Sequence, residues 1–321
     1  YDALIRLGTV SSADFTAEMT YWPGTDTLHT LTVKDLQNNN AVALQRVQSI
    51  DMLGRVLGMV NRAPGSGAGS SLVTVASVGH TYDAAGRRDD AKREDGTWWD
   101  YSYNDRSEVE GAVKKTSADA LVPGLSFGYQ YDGLGNRSSA TYGTAPNVST
   151  LGYTPNNLNQ YSQLTHPGTF DILTRANAAI AATADEATVQ STTTEGNLHG
   201  TRLTADNSTT GKLVTTTVTL DSDSSTVETW VPKASVTPTY DNDGNLTNDG
   251  RWTYTWDGEN RLVGMTPITT NGAPDVALEF AYDYMGRRIG KKVVDNTQGS
   301  TKLLQVSYAY DHWNPVAEWH S

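Results

Sequence analysis

Apolar and polar residues alternate with a period of two along most of this chain, and the alternation keeps ending in an aromatic residue followed by an acid. In Phe280-Ala281-Tyr282-Asp283 the two rings stand two residues apart, the spacing that places side chains on one face of a strand. Thr253-Tyr254-Thr255-Trp256-Asp257, Ser126-Phe127-Gly128-Tyr129-Gln130-Tyr131-Asp132 and Ser307-Tyr308-Ala309-Tyr310-Asp311 follow the same rule. After the acid the pattern breaks. The Asp carboxylate can take neighbouring backbone N–H groups and start a turn, and a following Gly such as Gly286 accepts positive φ without steric cost. An Arg and a new apolar run then begin the returning strand. The predicted unit is strand, turn, strand.

This unit recurs nine times in clear or worn form. The clear copies hold Tyr82, Asp83, Gly86 and Arg87; Tyr131, Asp132, Gly135 and Arg137; and Tyr282, Asp283, Gly286 and Arg287. Related copies hold Tyr240, Asp241 and Gly244, and Trp256, Asp257, Gly258 and Arg261. Worn copies begin at Tyr1-Asp2, Ile50-Asp51, Tyr103-Asn104-Asp105-Arg106 and Tyr310-Asp311. A unit repeated at this scale means an array of small elements rather than a compact enzyme around one active site. Asp and Arg of a copy are placed to pair across the turn or between neighbouring copies, which would set register. The aromatic residues are read as packing rows along the sheet, not as a ligand platform.

Residues 162–238 lack the unit. Lys212-Leu213-Val214-Thr215-Thr216-Thr217-Val218 and Thr226-Val227-Glu228-Thr229-Trp230-Val231 read as strands, with turn signals at Asp206-Asn207 and Thr210-Gly211. A small β-sandwich-like insert is expected there, since structureless loops of that length are uncommon. The alanines between Ala176 and Ala187 are read as strand and loop rather than helix. The chain therefore divides into repeat sheet over 1–161, insert over 162–238 and repeat sheet again over 239–321. Gly65-Ser66-Gly67-Ala68-Gly69-Ser70-Ser71 is a flexible loop by composition. Both ends fall inside repeats, so the chain is expected to be a piece of a longer polypeptide.

Composition narrows the function classes. The hydrophobic fraction is 37%, which suits sheets with one wet face better than a thick core. A net charge of −12 opposes binding to phosphate backbones and anionic membranes, so neither nucleic acid nor a membrane is an expected partner. With no Cys, disulfides, thiolate nucleophiles and Cys-ligated metals are excluded. The His residues at 29, 80, 166, 199, 312 and 320 have no metal-ligand spacing. Asp241-Asn242-Asp243-Gly244-Asn245 begins like a calcium loop, but its Gly comes too early and Trp252 stands where a bidentate Glu is required, so a hairpin turn is expected. Asn136, Asn147, Asn207 and Asn245 head formal glycosylation sequons and are read as turn chemistry. No cofactor, metal or catalytic residue is assigned.

Tyr131-Asp132-Gly133-Leu134-Gly135-Asn136-Arg137, Trp256-Asp257-Gly258-Glu259-Asn260-Arg261 and Tyr282-Asp283-Tyr284-Met285-Gly286-Arg287 together resemble the YD repeats of Rhs proteins. Tyr310-Asp311-His312-Trp313-Asn314-Pro315 is similar to a segment near the end of the Rhs core in bacterial members. The resemblance implies an all-β fold in which YD-repeat hairpins form a curved, spiralling sheet, part of a hollow shell. It implies an exported or cell-surface, non-enzymatic structural segment whose partners are other parts of the same polypeptide, such as an enclosed C-terminal toxin. The family's C-terminal self-cleaving motif does not occur before Ser321. Two alternatives stand beside this: an adhesion or carbohydrate-binding module using Trp98, Trp99 or Trp230, with glycans or a cell surface as partner, and a polysaccharide-cleaving enzyme with paired carboxylates.

Overall fold

The computed structural model describes residues 2, 4–66, 70–297 and 299–321, with the backbone alone for Asp311 and Val316. Tyr1 and the Gly67-Ala68-Gly69 part of the expected loop lie outside the described residues. The chain is all-β and its strand pairs are antiparallel; among the described residues the one helical element is the single 3-10 turn Thr269–Asn271. The expected all-β architecture therefore holds, and the alanine-rich stretch contains the strand Ala181–Ala184 rather than a helix. No helix among the described residues is long and apolar enough to cross a membrane.

Two compact units divide at Val122 and Pro123. In the first, strands from Thr9–Ser11 to Val109–Lys115 pair with their neighbours in chain order. Phe15–Tyr21, Leu28–Asp35 and Ala41–Ile50 lie between the first short strand and the Asp51 corner. Short connections explain the order: a hairpin turn can lead only to an antiparallel neighbour.

In the second unit the same order runs through Arg137–Tyr142, Ser149–Pro155 and Tyr161–Thr165. Tyr161–Thr165 then pairs with Ser235–Val236, beyond the Thr-rich stretch. A further sheet of eight strands follows in chain order from Thr239–Tyr240 to Asn314–His320. Between these lie two three-stranded sheets: Thr169–Arg175, Leu198–Ala205 and Ala187–Glu195 in one, Ala181–Ala184, Lys212–Leu220 and Asp223–Val231 in the other. Their inward residues meet in one buried cluster of Phe170, Leu203, Ala205, Val214 and Val231. This is the sandwich that the alternation in residues 212–231 predicts: odd and even positions face opposite sides, so Val214, Thr216 and Val218 are buried while Thr215 and Thr217 are not.

Candidate functional site

The repeated aromatic–acid corner is the chemically distinctive feature of the chain. Its backbone forms one loop in every described corner but the last, where Asp311 pairs with Asn314 across a two-residue turn and His312 takes the positive φ. The Asp283 N–H donates to the Arg287 carbonyl at 3.0 Å, and the Gly286 N–H donates back to the Asp283 carbonyl at 3.0 Å. Pairing then resumes between Tyr282 and Arg288 with a one-residue shift. This is a type I turn closed by a left-handed residue and a bulge. The left-handed position is the third after the acid: Gly54, Gly86, Gly135, Gly244 and Gly286 have φ of 78–89° there. In the Asp257 corner that position is Asn260, with φ of 58°, so Gly258 does not carry the left-handed turn.

From Asp2 to Asp283, each acid of these corners is held by the residue four places on. At Asp2, Asp51, Asp83, Asp257 and Asp283 the Oδ1 atom accepts the backbone N–H of the Arg at 2.8–3.0 Å. Oδ2 accepts the Nε–H of the same Arg at 2.7–2.8 Å. Both partners of the Asp283–Arg287 pair are mostly covered, with side chains 14% and 17% exposed. The Asp–Arg pair thus lies across its own turn. Asp132 departs from this: its partner is Asn136, whose Nδ2 lies 2.9 Å from Oδ2, while Arg137 sits over the rings of Tyr129 and Tyr153. Asp241 is likewise held by Asn245.

The guanidinium has a second task that the sequence pattern did not reveal. It lies on the aromatic ring of the next corner: Arg55 is 4.4 Å from the Tyr82 ring, Arg87 4.6 Å from Tyr103, Arg261 5.4 Å from Tyr282 and Arg287 5.1 Å from Tyr310. The same Tyr donates its O–H to the carbonyl just after that Arg, at 2.7–2.8 Å, in Tyr82 to Val56, Tyr103 to Arg88, Tyr282 to Leu262 and Tyr310 to Arg288. Trp256 reaches the Leu246 carbonyl in the same way through Nε1 at 2.8 Å. The expected aromatic rows are therefore rows of alternating ring and guanidinium, a favourable arrangement for a partly covered cation.

One corner escaped the sequence pattern, and one worn copy holds its partner differently from the rest. Asn156 replaces the acid and Gln160 the Arg, with the Asn156 Oδ1 accepting the N–H groups of Leu158 and Gln160. Its preceding residue is Pro155, not an aromatic, and no charge marks it. The Asn104 corner is inverted. Asn104 Oδ1 accepts the Glu108 N–H, and its Nδ2 donates to Glu108 Oε2 at 2.6 Å, so Glu108, not Arg106, fills the partner position. The side-chain donor now stands on the first residue and the carboxylate acceptor four places on.

The Asn156 corner shows where the string continues. Tyr240 donates its O–H at 3.2 Å to the carbonyl of Tyr161, the residue after Gln160. That bond spans the whole Thr-rich stretch and makes Asn156 and Asp241 consecutive corners. Asn136 Nδ2 to Asn159 Oδ1 at 3.1 Å, and Asn245 Nδ2 to Asn260 Oδ1 at 2.9 Å, join the corners on either side. Arg287 Nη1 donates to the His312 carbonyl in the last turn. The side chain of Asp311 lies outside what is described.

Electrostatics follow from the geometry. The side-chain hydrogen bond from Arg87 holds Asp83 below the usual carboxylate range, the Arg261 N–H does so first at Asp257, and Asn136 and Asn245 do so at Asp132 and Asp241. At Asp51 and Asp283 desolvation is the largest influence and pushes upward, yet the bonds from Arg55 and Arg287 outweigh it. Asp2 is drawn down to about 2, chiefly by Arg6. A depressed carboxylate stabilises the fold above its unfolded value of about 3.9, and that contribution disappears as pH falls through the folded value. An acid titration followed by near-ultraviolet circular dichroism of Tyr and Trp is expected to stay flat to about pH 4 and to lose signal below it. A transition centred near neutral pH would contradict the corner assignment.

None of this is catalytic geometry. Among the described residues no cluster of His, Asp and Glu could hold a metal ion. Trp98 is half-buried with Nε1 bonded to the Thr116 carbonyl and Lys115 over its ring; Trp230 is half-buried beneath Arg251. Asn136 and Asn245 spend their amides inside corners, and buried Asn207 donates to the His166 and Pro232 carbonyls, so these sequons serve local structure.

No family model matches the chain. Over 82 residues, 25% of its length, it is 38% identical to the tRNA3(Ser)-specific nuclease WapA of Bacillus spizizenii and 39% identical to the tRNA nuclease WapA of Bacillus subtilis strain 168. The matched stretch is 3% of the length of each. Among solved structures, the crystal structure of TcdB2-TccC3-TEV is similar over 93% of this chain and 16% of its own, at 14% identity and a TM-score of 0.38.

Proposed function

We propose that this chain is a structural, non-enzymatic segment of an Rhs/YD-repeat protein, a sheet that encloses or presents another part of the same exported polypeptide. The observation that carries the reading is the repeated corner: ring, guanidinium and Tyr hydroxyl join neighbouring corners from Asp51 to Asn104 and from Asp257 to Asp311, and the Tyr240 hydroxyl joins the Asn156 and Asp241 corners across the Thr-rich stretch. Corners of this kind build a sheet, and the acids, guanidiniums and hydroxyls named above are engaged in doing so. The partial likeness to WapA proteins supports a repeat of the same type. Residues 162–238 are an insert carried by that sheet, between repeat regions at 1–161 and 239–321.

Protease digestion of the native polypeptide that carries this chain tests the reading. Segments outside residues 1–321 should resist cleavage in the parent and become cleavable when Asp83 and Asp283 are both changed to Ala. Equal cleavage in the two proteins would overturn it. So would saturable binding of the chain to a glycan array, which belongs to the adhesion alternative.

A further inference from the structure

We infer that the strand Asp223–Val231 is a docking edge for an extended peptide with alternating apolar side chains and a basic end. It is the outer strand of its three-stranded sheet. Its neighbour pairs with it in unbroken register from Leu220–Asp223 to Lys212–Val231. The two-residue turn Asp221-Ser222 makes Leu220 and Asp223 a hydrogen-bonded pair, so Ser225 and Val227 also face that neighbour. Ser224 and Thr226 consequently turn their backbone N–H and C=O groups outward, and residues 223–228 are exposed.

Folded proteins guard such edges with bulges, short strands, Pro, Lys or covering segments. The other outer strands of the two small sheets are guarded. Ala187–Glu195 carries a register shift between Val189 and Ser191. Ala181–Ala184 is only four residues long. Thr169–Arg175 has its first carbonyl taken by the Tyr142 hydroxyl and Asp171 packed on Gly124. Asp223–Val231 has neither bulge nor Pro nor Lys.

Beside this edge runs an open groove of about 480 Å³ with Ile172, Ile180, Val218, Leu220 and Val227 along it. A strand added at Ser224 and Thr226 would place alternate side chains over those apolar residues and the others in solvent. Asp221 and Asp223 mark the turn end of the edge with negative charge, which complements Lys or Arg at that end of the peptide. Backbone pairing fixes the occupant as an extended chain, the groove asks for alternating apolar residues, and the acids supply polarity.

The test uses a fluorescein-labelled peptide of alternating Val and Thr ending in two Lys residues, titrated into the intact chain by fluorescence polarisation. Saturable binding is expected, weakened about tenfold or more when alternate peptide nitrogens are methylated, since backbone donors are then lost. Thr226→Pro should weaken it similarly; Pro is tolerated on an outer strand where the N–H faces solvent, and circular dichroism checks the fold. Asp223→Lys should reduce affinity for the Lys-ended peptide and spare one ending in Ser. No saturable binding, or binding indifferent to methylation, overturns the proposal. A chain dimer dissolved by Thr226→Pro also overturns it, by assigning the edge to a second copy.

Discussion

Replacing Arg202 by Met is expected to destabilise the second unit by about 3–5 kcal/mol, the penalty typical of removing one partner from a buried ion pair. Arg202 is 8% exposed and lies 3.1 Å from Asp171, whose side chain is 14% exposed. It also donates to the Asn147 carbonyl at 2.7 Å and to the Ser149 hydroxyl, so one guanidinium ties the insert to the loop before Ser149–Pro155. Burial pushes the Asp171 carboxyl above its ordinary value even with Arg202 beside it. Without the cation the carboxyl would rise further. A carboxyl whose folded value is raised weakens the fold as pH climbs through its ionisation. The Arg202→Met deficit should therefore be largest at neutral pH and shrink in acid, and Asp171→Asn in the same chain should recover part of it. Urea midpoints across that pH range measure both effects. A deficit independent of pH would mean that packing, not the pair, holds the junction.

Leu203→Ala should cost about 2–5 kcal/mol. Leu203 is fully buried, between Phe170 and Val214 in the cluster that joins the two small sheets. That cluster is small, so the cavity removes a large share of what keeps the sandwich closed. A lowered urea midpoint with an unchanged slope is the expected result. A loss below about 1 kcal/mol would fall outside the range for buried leucines and would show that the two sheets do not depend on this core.

Local chemistry was legible in the sequence and distant pairing was not. Period-two alternation before Asp83, Asp257 and Asp283 shows strands, and acid, Gly and Arg show turns, because those signals act within six residues. The strands Lys212–Leu220 and Asp223–Val231 are legible for the same reason. Asn156 is invisible beside them because Pro155 and Gln160 share no residue type with Tyr282 and Arg287, although the backbone loop is identical. The inverted Asn104–Glu108 pair hides behind a nearby Arg106. Gly258 misleads because Asn260 can also adopt the left-handed conformation. The links from Arg287 to Tyr310, from Tyr240 to Tyr161 and from Arg202 to Ser149 join residues far apart in the chain, so no local pattern encodes them.

The most direct test of the corner account is a thermal-melting cycle on Asp283 and Arg287. Asn104 and Glu108 show that an amide and a carboxylate fill the same two positions with reversed polarity. Asp283→Asn and Arg287→Glu should each lower Tm. The double variant should melt above Arg287→Glu alone, regaining the pair but not the stack on Tyr310. If the two losses simply add, the acid and its partner four residues on do not act together, and the corner is not the unit that builds this sheet.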